Sequence, residues 1–177
     1  MKKLMIALAA VAMAAGAQAA AVTWSVNNIQ ASPDAAVNDG WIVQIFDAAT
    51  TYDYEAARAG TITALSSSTA YQSGTIFKAT ASFGDYGPNT LVNIYAVIYD
   101  AASIDGAQNY IVSTQFSKSM PASGSPLSAA FGNMAGTTTG NLFKGQEWQS
   151  TGSVPEPTSA MLLLLGVAGL ALRRKQA

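Results

Sequence analysis

The chemistry open to this chain rests on carboxylates. Its 177 residues include no His and no Cys, which excludes serine and cysteine nucleophile–imidazole pairs, imidazole metal sites and thiolate clusters. Nine of the ten acidic residues fall between residues 20 and 153: Asp34, Asp39, Asp47, Asp53, Glu55, Asp85, Asp100, Asp105 and Glu147. Two groups are close enough in sequence to act together, Asp47 with Asp53 and Glu55, and Asp100 with Asp105. A pair of placed carboxylates suffices for glycoside hydrolysis. The same oxygens suit Ca²⁺, although Asp47-x5-Asp53-x-Glu55 does not follow the D-x-[DN]-x-[DN]-G-x5-E calcium loop. These acids sit among Gly, Asn, Ser and Thr, where an aspartate ordinarily caps turn backbone. We therefore expect no enzyme activity and no cofactor, and the metal question stays open.

The other side chains with binding chemistry are aromatic. Trp24, Trp41 and Trp148, with Tyr52, Tyr54, Tyr71, Tyr86, Tyr95, Tyr99 and Tyr110, offer rings on which a sugar can stack. Tyr95 and Tyr99 project on the same side of one expected strand. Core packing is the simpler use of such residues, and we favour it over a sugar platform.

The elements that position these groups read as strands. In Ala21 to Asn27, Val22, Trp24 and Val26 alternate with polar residues; in Thr75 to Phe83, Phe77, Ala79, Ala81 and Phe83 do the same. In Tyr110 to Phe116, Tyr110, Val112, Thr114 and Phe116 share one side. Two runs, Trp41 to Phe46 and Leu91 to Tyr99, are apolar on both faces and are expected to be central strands. Turn signals separate the runs at Asn38-Asp39-Gly40, at Gly84 to Asn89 and at Asp105-Gly106. A short helical turn is expected at Tyr54 to Ala59, and a surface loop at Ser119 to Ser128. No stretch sustains a 3.6-residue apolar period. The pattern predicts an all-β fold, an antiparallel β-sandwich or partial barrel, with a signal helix before it and a hydrophobic helix after it. Ile45-Phe46-Asp47-Ala48-Ala49-Thr50 matches Ile98-Tyr99-Asp100-Ala101-Ala102-Ser103 at an offset of 53 residues. Two strand ends using the same turn chemistry explain the match more simply than a duplicated unit does.

Charge and the two ends set the setting. Half of the chain is hydrophobic and only 11% is charged, against about 25% in an ordinary globular protein. Five of the nine basic residues lie in the tails, leaving Arg58, Lys78, Lys118 and Lys144 among nine carboxylates. No basic face exists to neutralise phosphates, so nucleic acid is excluded as a partner. Lys2 and Lys3, the apolar run Leu4 to Ala15 and Ala17-Gln18-Ala19 form the three parts of a signal peptide, with cleavage expected after Ala19. At the other end, Val154-Pro155-Glu156-Pro157 leads into an apolar stretch, Ala160 to Leu172, closed by Arg173-Arg174-Lys175. Its 13 residues reach roughly 20 Å as a helix, short of a bilayer core, which fits a transient inner-membrane contact.

This C-terminal arrangement resembles the PEP-CTERM sorting signal, over about the last two dozen residues. The resemblance implies processing near Pro155-Glu156-Pro157 by exosortase, a membrane protease-transpeptidase of Gram-negative envelopes, after signal peptidase has acted. It also implies export through the inner membrane and residence at the cell surface or in the extracellular matrix. It leaves the rest of the chain without a family. The expected organisation is a signal peptide over 1–19, a β-rich extracellular domain over 20–148, a Gly/Ser linker over 149–153 and a sorting tail over 154–177. The expected function is a non-enzymatic structural or adhesive protein. A module binding exopolysaccharide is the alternative, and a carboxylate-dependent glycan hydrolase is the third reading.

Overall fold

The computed structural model describes residues 19–136 and 140–152. The expected signal helix with Ala17, and the hydrophobic tail with Val154, Pro155, Glu156, Pro157, Arg173, Arg174 and Lys175, lie outside them. Within them the regular structure is almost all strand: β1 (Ala20–Asn27), β2 (Ile42–Asp47), the single helix α1 (Tyr54–Arg58), β3 (Ser66–Thr69), β4 (Tyr71–Ser73), β5 (Ile76–Tyr86), β6 (Leu91–Tyr99), β7 (Asn109–Val112), β8 (Phe116–Ser119), β9 (Leu127–Asn133) and β10 (Gln149–Ser150). No helix among the described residues is long and apolar enough to cross a membrane.

Two sheets face each other across one core, as a sandwich requires. The four-stranded sheet runs β4-β5-β1-β9, and the larger runs β10-β7-β6-β2-β3 with β8 also on β6. The alternation read from the sequence explains the burial. Val22, Trp24 and Val26 of β1 and Ala79 and Phe83 of β5 meet Val43, Ile45, Val92, Ile94, Ala96 and Ile98 from the larger sheet. The all-β expectation holds. The purely antiparallel one does not, because β1 pairs parallel with β9, Trp24 opposite Ala129. A parallel neighbour is invisible to periodicity, which reports facing and not strand direction.

Three further differences have local causes. The run Tyr110 to Phe116 is not one strand: it breaks at 113–115 into β7 and β8, both on β6. At the break the Ala96 N–H donates to the Ser113 hydroxyl at 2.9 Å, while the Ser113 N–H donates to the Ala96 carbonyl at 2.8 Å. The break reverses the facing, so Tyr110 and Val112 pack outside the sandwich and Phe116 packs inside, against Phe131. Gly84, expected in a turn, is a bulge within β5 at φ +72°, opposite the register shift at Ala20/Val22. A Cβ there would collide with the Tyr86 ring. Finally, Gln149 and Ser150, the first residues of the expected linker, form β10 on β7, and Thr151 is buried, its hydroxyl donating to the Ala107 carbonyl at 2.9 Å. The fold thus reaches Thr151.

The sandwich is bridged at both open sides. Ser66–Thr69 pairs with β2, and Tyr71–Ser73 pairs with β5, so one stretch crosses between sheets at Ala70. Its N–H donates to the Trp41 carbonyl at 2.7 Å and its own carbonyl accepts from Gly40. On the other side the Leu142 N–H donates to the Phe131 carbonyl of β9 and its carbonyl accepts from Thr114.

Candidate functional site

Five of the ten aromatic candidates meet in one place, the outer face of the six-stranded sheet. β6 is apolar on both faces because it separates two cores. Its Val92, Ile94, Ala96 and Ile98 point into the sandwich, while Tyr95, Val97 and Tyr99 point outward. There they meet Phe46, Tyr54, Ala57 and Ala107, with α1 and the chain around it folded over them. Asp53 starts that helix: its carboxylate accepts from the Ala56 N–H at 2.7 Å, and Gly60, at φ +72°, follows its end. The helix forms where the sequence placed it.

Five tyrosines meet on this face, and their hydroxyls are spent within the protein. Tyr52 donates to Tyr99 at 2.9 Å, and Tyr99 donates to the Gln44 side-chain oxygen at 3.1 Å. Tyr95 donates to the Thr50 carbonyl, Tyr54 to the Ile104 carbonyl and Tyr110 to the Gln149 side chain, at 2.9, 2.8 and 2.8 Å. The rings are spent as well. Tyr54 and Tyr110 stack with centroids 5.6 Å apart, and Phe46 stacks on Tyr95 at 5.7 Å. Burial raises the Tyr52 and Tyr99 hydroxyls well above the ordinary tyrosine value. It pushes Tyr95 up to about 12, with the Asp47 charge adding to it, and raises Tyr110, with Asp53 as the second cause. Hydroxyls this hard to ionise do not serve as general bases near neutral pH.

The remaining aromatics are also packed, with one exception. Trp24 is fully buried and its indole N–H donates to the Ser66 hydroxyl at 2.9 Å. Trp41 is buried edge-on against Trp148, at 5.8 Å. Tyr86 packs against Phe83. Tyr71 stands out in solvent at 41% exposure, with the Lys78 ammonium 5.4 Å from its ring centre. The platform of ten rings is therefore core, with Tyr71 as the ring left open.

The carboxylates of the two sequence groups are redistributed into structural tasks, and Glu55 of one group meets Asp105 of the other at Arg58. Asp47 accepts from the Ala49 N–H, Asp53 caps the helix, and Glu55 and Asp105 both pair with Arg58, at 3.6 and 2.8 Å. Asp100 is the buried one. Its two oxygens accept four hydrogen bonds, from the Ser32 hydroxyl, the Gln108 and Asn109 N–H groups and the Asn109 side-chain amide, all at 2.8–2.9 Å. Among the described residues no three Asp or Glu side chains gather where they would hold a metal ion.

Comparison with known families adds one fact about the end of the chain. Residues 153–175, the stretch holding Val154-Pro155-Glu156-Pro157 and Arg173-Arg174-Lys175, match the PEP-CTERM protein-sorting motif. The chain ends in a PEP-CTERM sorting motif. The motif marks the protein as an exosortase substrate bound for the cell surface or the extracellular space. It begins two residues beyond Thr151, the last buried one of the described residues. No family is assigned to the residues before it. No curated protein and no solved structure matches the chain.

Proposed function

We propose that the protein is an exported surface or matrix component whose β-domain has a structural or adhesive task and performs no catalysis. The sorting motif carries this reading. Signal peptidase acting after Ala19 would free Ala20, the buried first residue of β1, so the cut would fall flush with the fold. Exosortase acting near Pro155-Glu156-Pro157 would cut just beyond Thr151, leaving the sandwich whole. The non-catalytic part is supported by Asp47, Asp53, Glu55, Asp100 and Asp105, which cap turns or the helix, pair with Arg58 or lie buried under four donors, and by the absence of His and Cys from the sequence.

Intact-mass measurement of the protein recovered from its own envelope tests the processing: residues 1–19 and the segment beyond the Pro-Glu-Pro region should be missing. A major form that keeps Arg173 to Lys175 would refute it. Incubation of the same protein with envelope polysaccharide should release no reducing ends. Release that disappears on joint replacement Asp47→Asn and Asp100→Asn would overturn the non-enzyme reading.

A further inference from the structure

The outer face of the four-stranded sheet is built differently from the covered outer face of the six-stranded sheet. Among the described residues no helix or strand lies over it, and its side chains form rows in register. Ser82, Thr23 and Ser128 make one row, and Thr80, Ser25 and Ala130 the next. Thr23, Thr80, Ser82, Ser128 and Ala130 are exposed. The row ends are held in place: the Thr23 and Ser82 hydroxyls are 3.0 Å apart, and Thr80 donates to the Trp24 carbonyl at 2.7 Å. A third row carries Tyr71, Lys78 and Asn27, with the lysine over the tyrosine ring.

We propose that this face binds a neutral polysaccharide chain, the hydroxyl rows exchanging hydrogen bonds with sugar hydroxyls and Tyr71 receiving a sugar ring at one corner. Strands lie about 5 Å apart, so hydroxyls repeat across the rows at about the length of one sugar ring. Ser and Thr carry at most one or two rotors, so little side-chain entropy is lost when they are ordered by a ligand. A protein partner fits poorly, because Tyr71 is the sole large ring in these rows and no cluster of apolar anchors surrounds it. Charge selects a neutral polymer over an acidic one. The rows hold a single charge, Lys78, on a domain whose nine carboxylates outnumber four basic residues, and a polyanion would be repelled by the whole.

The inference rests on the surface-protein reading for its setting, since polymers of this kind meet the domain outside the cell. Its test is separate. The exported protein, purified from its producing cells, is run by affinity electrophoresis through gels containing dextran, pullulan, a mixed-linkage β-glucan or polygalacturonate. Retardation by at least one neutral glucan is expected. Tyr71→Ala should weaken that retardation about tenfold, and Thr23→Lys, at an exposed position in the first row, should abolish it. Glu55→Gln, on the other side of the sandwich, should leave it unchanged. Circular dichroism of each variant confirms that the fold persists. Retardation by polygalacturonate alone, by none of the four, or unaltered in Thr23→Lys overturns the proposal. The surface location tested by intact mass would stand in each case.

Discussion

The two outer faces of this sandwich began from similar backbones and ended with opposite surfaces. On the six-stranded sheet, Tyr95, Val97 and Tyr99 face outward and are covered by Tyr54 and Ala57 of α1. On the four-stranded sheet two of the outward rows are Ser and Thr save for Ala130, and Thr23, Thr80, Ser82 and Ser128 stay open. Apolar side chains on both faces of a strand oblige the fold to supply a second cover, whereas hydroxyls are already satisfied by water. Stability is therefore invested on one side and accessibility on the other. The same contrast separates the matched hexapeptides. Asp47 is exposed and holds one turn, while Asp100 is buried and gathers Ser32, Gln108 and Asn109. β2 and β6 run antiparallel, so the two copies lie at opposite ends of the sheet, and one similar sequence does two jobs.

Alkaline pH should break the covered face first and with the largest effect. Tyr52, Tyr95 and Tyr99 are raised in the fold relative to an unfolded tyrosine near 10, Tyr95 to about 12. Protonated tyrosine is the form the fold favours, so its stabilisation is complete below pH 10 and is lost as pH rises toward 12. Thermal melts followed by circular dichroism should be flat from neutral pH to about 10 and fall steeply above it. A melting temperature unchanged at pH 11.5 would place these rings in solvent.

Truncating the same face comes next. Tyr99→Ala should cost about 3–5 kcal/mol, as for other buried aromatic truncations. Tyr99→Phe should cost about 1–3 kcal/mol, because Gln44 and Tyr52 lose a partner while the ring remains. Urea denaturation separates the two. Equal losses would mean that the hydroxyl chain, and not ring burial, dominates.

The hexapeptide contrast predicts a smaller but asymmetric pair. Asp100→Asn places an amide among four donors and should cost about 1–3 kcal/mol. Asp47→Asn keeps an oxygen for the Ala49 N–H and should change stability by less than about 0.5 kcal/mol. The reverse order would assign the buried hub to the wrong copy. The smallest effect is expected on the open face, where Thr23→Val should stay within about 0.5 kcal/mol in the same denaturation. A loss several times larger would mean that something covers it.

Local facing of most strands and the address of the protein are written in short stretches of sequence. Val22, Trp24 and Val26, and Phe77, Ala79, Ala81 and Phe83, face the core as their alternation required, because a pleated strand turns every second side chain the same way. The helix at Tyr54–Arg58 was expected over Tyr54 to Ala59, and the Asp53 cap that starts it acts over only a few residues. The sorting motif is a linear signal and needs no fold to be read. Ser66–Thr69 and Tyr71–Ser73 were missed, since edge strands of Ser, Thr and Gln carry no apolar period. Tertiary structure alone decided the rest. The parallel partner of β1 comes from more than a hundred residues away, and no local pattern encodes such a pairing. It also decided which of the aromatic residues were core and which stood open. That choice depends on where α1 folds back and on what remains uncovered, and both are set by packing between distant segments.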